Sequence, residues 1–218
     1  MVKLPLDLYI LIYKRFPHKW QEMLENIFSS YLYRKLLDQD LKPIYKHINQ
    51  TQKKDKVGRT ITNYGGWQSK SFSKINSSVK PLFTSIDLII EEIRKKLDYK
   101  YKLKLNSYWY NIHPFAAFNR PHRHIGPAWS TVASGVFYIK CPSKSGNIML
   151  KTPNPLTASL YDNKINIYNS YTSSTFFIEP EKNLCVVFPS DLEHYVEPNL
   201  NKKEERISIS FDYGVKDA

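Results

Sequence analysis

The feature that most constrains this chain is a change of pattern at about residue 103, after which short β-type runs follow one another between turn signals. Apolar and polar residues alternate in several of these runs, which indicates strands with one buried face. Strands are predicted at 103–112, 131–140, 147–151, 174–180, 183–189, 194–198 and 205–213. Many short strands after a helical block favour a closed or double-sheet β architecture with helices packed on one side.

The first half of the chain is predicted to be a helical support for that β region. A short buried strand is expected at about 8–13, followed by a helix over about 17–37. The apolar side chains of this helix recur at three- and four-residue steps, as Trp20, Met23, Leu24, Ile27, Phe28 and Tyr31. A second helix is predicted from Pro81 to about Leu97, where the apolar residues keep the same period.

Residues 50–80 are polar and lack a sustained period, and Gly65-Gly66-Trp67 is their strongest turn signal. We expect a long loop there that acts as a lid. The 218 residues are expected to form a single α+β domain, with 1–100 as helical support and loop and 101–213 as the β core.

The formal net charge of +12 favours polyanionic partners, although scattered lysines are equally consistent with a solvated basic surface. Cys141 and Cys185 follow no ligand spacing and each lies beside an apolar run, so both are expected to be buried thiols in a reducing compartment. The apolar stretch near the start is too short to span a bilayer and is interrupted by Pro5 and Asp7. These features predict a cytoplasmic protein without a membrane segment.

Three of the histidines are spaced so that they could meet around one metal ion. His122 and His124 are two residues apart, and in an extended segment both side chains project from the same face. His194 begins another predicted strand, and three imidazoles on one side of a metal leave positions open for substrate and oxygen. His113 is assigned a structural role, and His18 and His47 are expected at the surface of the helical part.

The run ERISISF follows His194, and its alternation places Arg206, Ser208 and Ser210 on one face of a strand. An arginine that points inward needs an anion, because an uncompensated buried charge is costly. Its guanidinium can hold a carboxylate in a bidentate fork, and a serine two residues on can bind the same group. The alternative is an edge strand on which Glu204 or Glu205 pairs with the arginine, and the residues alone do not decide between the two.

In this order, the motifs His122-Arg123-His124, His194 and Arg206-Ile207-Ser208 make the chain resemble the 2-oxoglutarate-dependent iron(II) oxygenases. The stretches NYGGWQS, ASGVFYIK and FPSDLEHYVEPNLNKKEERISISF are similar in particular to a subgroup frequent in bacteriophages and marine bacteria. The resemblance covers roughly residues 60–213. It implies a double-stranded β-helix, or jelly-roll, core, and a viral origin would suit it.

The resemblance also implies roles for individual residues. His122 and His194 would bind iron(II), and His124 stands where most members have Asp or Glu. Either three imidazoles hold the metal or water takes the third position, and the same-face geometry favours the three imidazoles. A halogenase-like site is disfavoured because those sites usually offer a small residue at this position.

The co-substrate roles come from the resemblance as well. Arg206 and Ser208 would bind the distal carboxylate of 2-oxoglutarate. Asn111 resembles a co-substrate-contacting asparagine of nucleic-acid demethylases, and Tyr138 resembles a co-substrate-binding tyrosine of prolyl hydroxylases, with a core tyrosine as its alternative role.

The implied activity is hydroxylation of a C–H bond in an unidentified substrate. A protein side chain, a nucleic acid or a small anionic molecule are all compatible, and the habit of the family favours a protein side chain. One rival is a three-histidine dioxygenase that needs no 2-oxo acid, against which the Arg206-x-Ser208 pair argues. Another rival is a basic β-barrel that binds nucleic acid without catalysis.

Overall fold

The computed structural model describes residues 30–125, 131–153 and 172–215. The helical elements within these ranges are α1 (Leu41–Lys54), a short 3-10 turn (Ser77–Val79) and α2 (Lys80–Lys96). The strands within these ranges are β1 (Tyr33–Leu36), β2 (Asn63–Tyr64), β3 (Trp67–Gln68), β4 (Leu103–His113), β5 (Phe118–His122), β6 (Thr131–Lys140), β7 (Ile148–Lys151), β8 (Thr175–Ile178), β9 (Leu184–Pro189), β10 (His194–Val196) and β11 (Arg206–Val215). No helix in the described ranges is both long and apolar enough to cross a membrane.

The strands form two antiparallel sheets that pack face to face. The major sheet has the order β1-β9-β6-β11-β4-β3, and the minor sheet has the order β2-β5-β10-β7-β8. Apolar side chains of β6 and β9, such as Val136 and Phe188, pack against those of β7 and β8, such as Leu150 and Ile178. This arrangement is the predicted double-stranded β-helix.

The outer face of the major sheet is covered by α2, as the sequence pattern predicted. Pro81 lies in the first turn of α2, where a missing backbone N–H is tolerated. The buried face of the helix joins the outward side chains of β4 and β11 in one cluster, which includes Leu82, Phe83, Ile86, Ile90, Tyr108, Ile207, Ile209 and Phe211. The alternation of β11 is therefore confirmed, because its apolar residues face the helix and leave the other face for the interior.

The cysteines are free thiols near these cores. Cys185 is fully buried, and Cys141 is half-buried against the cluster between the sheets. Burial raises the pKa of both thiols to about 12, so each is a neutral, weakly reactive group.

The predictions for the N-terminal part are partly wrong. The strand at 8–13 and most of the helix over 17–37 lie outside the described residues, but Tyr33–Leu36 is strand β1, paired with β9. Helix α1 was not predicted, although Asp40 caps it through Lys42 N at 3.0 Å. The region 1–100 is thus not only helical, because β1 belongs to the major sheet.

The segment 50–80 is largely irregular between its ends, as its composition predicted, although residues 50–54 end α1 and a 3-10 turn lies at Ser77–Val79. Its two short strands join both sheets, with β2 paired to β5 and β3 paired to β4. The chain bends between them at Gly65, whose φ is +68°. Ile61 and Gln68 line the interior, and the role of the segment as a lid stays a prediction.

Candidate metal centre and co-substrate cavity

A cavity of about 340 Å³ lies between the sheets. Alternate residues of β4, from Ser107 to His113, and of β11, from Arg206 to Asp212, line its wall on the major sheet. Ile61, Arg123 and Ile125 also line the cavity, and all three are exposed. The face of β11 turned away from α2 is therefore the floor of a pocket.

The three predicted metal-binding histidines meet in this cavity. His122 and His194 are register partners on β5 and β10, and their ring centroids are 4.3 Å apart. His124 lies 5.0 Å from each of them, measured between ring centroids. One nitrogen from each of these side chains lies within 4.8 Å of the other two. The same-face geometry expected of His122 and His124 is confirmed.

The hydrogen bonds of His122 and His194 fix which nitrogen is free. His122 Nδ1 lies 2.7 Å from the carbonyl oxygen of Arg120, and His194 Nδ1 lies 2.9 Å from that of Leu192. Because a carbonyl oxygen only accepts hydrogen bonds, each Nδ1 carries the proton and each Nε2 keeps its lone pair.

Both of these imidazoles are held in the neutral form that metal binding requires. Burial lowers the pKa of His122, and burial together with the neighbouring His122 and His124 lowers the pKa of His194 to about 3. Neutral imidazole is the form that binds a metal ion, so at pH 7 neither group has to lose a proton first.

His124 is anchored differently. Its backbone N–H donates to Ser190 O at 2.8 Å, and its Nδ1 lies 2.7 Å from Asp212 Oδ1. Ser134 Oγ donates to the same carboxylate oxygen at 2.6 Å. A carboxylate oxygen likewise only accepts hydrogen bonds, so Nδ1 of His124 carries the proton. In all three rings Nε2 therefore keeps its lone pair and can bind a metal ion.

The predicted co-substrate residues lie side by side in the inner row of the major sheet. Ser208 pairs in register with Asn111 on β4 and with Tyr138 on β6. Arg206 pairs with His113 on β4, two residues along from the pair of Ser208 and Asn111. All five side chains are buried and line the cavity, and burial raises the pKa of Tyr138, which keeps its hydroxyl protonated.

Arg206 is buried without a carboxylate partner. Its Nη1 donates to the carbonyl oxygens of Ser145 and, at 2.9 Å, Gly146, whereas its Nη2 has no partner in the described part of the chain. Glu204 and Glu205 instead pair with Lys140 at 3.3 and 3.4 Å. The edge-strand alternative is therefore wrong, and the guanidinium fits an anion in the cavity.

His113 was predicted to be structural, but it lines this cavity opposite Arg206. It is 2% exposed, and neither ring nitrogen is in good hydrogen-bond geometry with a partner among the described residues, although the side chain of Asn119 lies close enough to raise its pKa slightly. Burial and the charge of Arg206 lower its pKa to about 3. The signal for this position was present, because His113 follows Asn111 by two residues on the same strand face.

Asp212 was missed as well. It lies two residues beyond Ser210 on β11, so the alternation that placed Arg206 and Ser208 in the interior reaches it too. Its contact with His124 joins residues that are 88 positions apart. No spacing rule in the sequence connects the two.

Comparison with known proteins agrees with this site. Residues 107–212 match the family described as "Putative 2OG-Fe(II) oxygenase", and this range contains each of the candidate site residues. No curated protein gives a significant sequence match.

Solved structures share the fold at low sequence identity. A Pseudomonas putida prolyl-4-hydroxylase is 15% identical over 85% of this chain and 93% of its own, with a TM-score of 0.63. A Trichoplax adhaerens prolyl hydroxylase, solved with a peptide fragment, is 13% identical over 85% and 83%, with a TM-score of 0.59. A viral collagen prolyl hydroxylase from Paramecium bursaria Chlorella virus-1 is 13% identical over 86% and 97%, with a TM-score of 0.56. The family match over residues 107–212, on a chain with this fold and these converging histidines, makes the protein similar to the 2OG-Fe(II) oxygenases and indicates an enzyme that uses iron(II) and 2-oxoglutarate.

Proposed function

We propose that this oxygenase hydroxylates a C–H bond of a protein side chain, with iron(II) held by His122, His124 and His194. The observation that carries the proposal is a single cavity with three free imidazole Nε2 atoms at one place and the unpaired Nη2 of Arg206 at another. The first group fits a metal ion and the second fits a carboxylate. Iron(II) and 2-oxoglutarate need both.

The three histidines fit iron(II) by their chemistry. Imidazole suits iron, and three ligands on one side leave positions open for a chelating 2-oxo acid and for oxygen. When bound, iron(II) with 2-oxoglutarate supplies oxidative decarboxylation of the co-substrate, coupled to insertion of one oxygen atom into the substrate C–H bond. Hydrogen bonds from their Nδ1 atoms to Arg120 O, Leu192 O and Asp212 hold the three rings in place, with Nε2 left for the metal ion.

The row of residues around Arg206 would hold the distal carboxylate of 2-oxoglutarate. The carbonyls of Ser145 and Gly146 orient the guanidinium before the ligand arrives, and Ser208 and Tyr138 offer hydroxyl groups beside it. A preorganised donor loses less entropy on binding than a mobile one. Asn111 donates its amide to Ser210 Oγ at 3.0 Å, which fixes the orientation of the amide in the cavity wall.

His113 is added to this group because the structure leaves both of its nitrogens without a partner opposite Arg206. A neutral imidazole can donate one hydrogen bond and accept another. A carboxylate between His113 and Arg206 would satisfy the orphaned donors of both residues. Buried polar groups without partners are rare in proteins and usually mark a missing ligand or water.

A protein side chain is the proposed substrate for two reasons. Three of the solved structures with the similar fold are named as prolyl hydroxylases, and one of them holds a peptide fragment, whereas others are named as an epimerase and a carbocyclase. The net charge of +12 favours an acidic segment around the modified residue. We also propose a cytoplasmic location, which the free thiols of Cys141 and Cys185 support, and a viral source stays a prediction.

Anaerobic titration with iron(II) and 2-oxoglutarate tests the two sites together. Wild-type protein is expected to develop the weak visible charge-transfer band, and His194→Ala is expected to lose it, whereas His47→Gln on α1 keeps it. In air, wild type is expected to form succinate, and acidic peptides are expected to accelerate this reaction and gain one oxygen atom.

Other outcomes of these assays would favour the rivals. Metal-dependent oxidation without succinate would indicate a dioxygenase that needs no 2-oxo acid. Absence of metal binding, together with a steeply salt-dependent affinity for DNA or RNA, would indicate a nucleic-acid-binding barrel.

A further inference from the structure

The carboxylate of Asp212 contacts Nδ1 of His124, which leaves Nε2 of that ring free for a metal ion. His124 Nδ1 and Ser134 Oγ both contact Asp212 Oδ1, at 2.7 and 2.6 Å, and Ser134 Oγ also lies 3.1 Å from His124 Nδ1. The two side chains of the pair are largely buried, at 13% and 15% exposed. The contact is a charge-assisted hydrogen bond in a poorly solvated place.

The other two histidines do not have such a partner. His122 and His194 donate to backbone carbonyls of the residues two positions before them, Arg120 and Leu192. Those acceptors are neutral and local. Among the three candidate ligands, only His124 is tied to a formal negative charge, and the carboxylate comes from a different strand, β11.

In the described ranges, Asp212 forms an ion pair with His124 and with no lysine or arginine. A neutral His124 would leave the carboxylate with hydrogen bonds but without a countercharge. A buried charge without compensation is costly, and a cation held at the far nitrogen of His124 would supply the compensation through the ring.

We propose that Asp212 is a positioning residue. It does not bind the metal ion itself but supplies the negative charge of the metal centre through its hydrogen bond to His124. The three candidate ligands are all neutral imidazoles, so a carboxylate one hydrogen bond away would supply the charge that the ligands themselves lack. Asp212 holds the Nδ1 proton of His124, directs Nε2 to the metal and makes that nitrogen a stronger donor. The inference rests on the proposed function, because it assumes that His124 binds the metal.

Cobalt(II) titration of the full chain, followed by visible absorption, tests the inference without turnover. Asp212→Asn keeps the shape of the side chain but removes its charge, and it is expected to weaken cobalt(II) binding by about tenfold to a hundredfold. Ser134→Ala leaves the charge in place, so a smaller loss is expected. Asp212→Glu restores the charge and is expected to recover part of the affinity.

Asp87→Asn is the matched control. Asp87 accepts a hydrogen bond from Tyr213 at 2.6 Å, one residue along β11 from Asp212, but on the α2 side of the sheet. This variant loses the same charge near the same strand without touching a histidine. Wild-type affinity is expected for it, and an equal loss in Asp87→Asn and Asp212→Asn would overturn the inference.

The outcomes separate the inference from the proposed function. If wild type and His194→Ala both fail to bind cobalt(II), the metal site itself is refuted. If wild type binds, His194→Ala does not and Asp212→Asn binds like wild type, only the role of Asp212 is refuted.

A measurement on the metal-free wild type decides the point even if Asp212→Asn does not fold. Long-range ¹H–¹⁵N spectra of the histidine side chains are expected to show His124 protonated at Nδ1, with a slowly exchanging proton. Protonation at Nε2 would overturn the inference.

Discussion

Arg206 and His113 face each other across the β11–β4 pair, and both present buried nitrogen atoms without hydrogen-bond partners among the described residues. They are 1% and 2% exposed. Two unsatisfied groups at one point are better explained by a shared missing ligand than by two independent defects in packing. This pair is therefore where binding of the co-substrate can be tested most directly.

Arg206→Lys is expected to weaken 2-oxoglutarate binding by about tenfold to a hundredfold, because lysine keeps the charge but lacks the planar fork. The dissociation constant for 2-oxoglutarate on cobalt(II)-loaded protein, measured by calorimetry, checks this. Lys140→Gln is the control, since Lys140 pairs with Glu204 and Glu205, which lie just before β11 and outside the cavity lining. Equal affinities in wild type and Arg206→Lys would contradict the assignment.

His113→Leu is expected to make the free energy of unfolding depend less on pH below about 6.5. The pKa of His113 is lowered to about 3 from its ordinary 6.5, so between these values the unfolded chain binds a proton that the folded chain does not. Stability is therefore lost as the pH falls through this window, by up to about 1.4 kcal/mol per pH unit. The leucine variant lacks this loss.

Urea unfolding at pH 7.5 and pH 5.0 measures the difference. Between pH 7.5 and pH 5.0, His113→Leu is expected to lose less free energy of unfolding than the wild type. It is also expected to bind 2-oxoglutarate more weakly at either pH. His47→Gln serves as the comparison, because His47 is only half-buried on α1 and its pKa is also lowered. Parallel pH dependence in wild type and His113→Leu would show that the imidazole is not held neutral.

Metal binding is expected to stabilise the fold, since the three histidine donors converge only in the folded chain. At a free cobalt(II) concentration of one hundred times the dissociation constant, the free energy of unfolding should rise by about 2.7 kcal/mol. A chelator should reverse the increase. His122→Ala should unfold at the same temperature with and without metal, whereas a metal-dependent shift in that variant would place the ion elsewhere.

Gly135→Ala is expected to destabilise the major sheet by about 1–3 kcal/mol, as overpacking of a core does. A Cβ at this position would lie 2.4 Å from the Phe211 ring and 2.6 Å from Val186 O. Urea unfolding of Gly135→Ala, Phe211→Leu and the double variant checks the cause. The two losses of stability should be less than additive, because the smaller leucine relieves the clash. Full additivity would show that contact with the Phe211 ring is not the cause.

Local patterns predicted most of the β core. The alternation in β11 placed Arg206 and Ser208 on one face of their strand, because a shift of one residue would bury the wrong set. Whether that face lies in the interior was left open by the residues, and Asn111 and Tyr138 were proposed from the resemblance alone. Helix α2 was equally accessible, since its apolar stripe is continuous.

The features that the sequence did not reveal depend on distant partners. Strand β1 forms because β9, about 150 positions away in the chain, offers a free edge to Tyr33–Leu36. The short strands β2 and β3 have only two residues each, too few to show an alternation, and pairing with β5 and β4 defines them. The contact between His124 and Asp212 is of the same kind, because His124 follows β5 of the minor sheet and Asp212 lies on β11 of the major sheet, so the contact depends on how the two sheets pack.

Strand β11 is the last strand described, yet it lies between β6 and β4 in the major sheet. It carries Arg206 and Asp212, whereas His122 and His194 are anchored by carbonyl groups only two residues before them. Because one strand carries both residues, a change that shifts the register of β11 would displace the Arg206 guanidinium and the hydrogen-bond partner of His124 together.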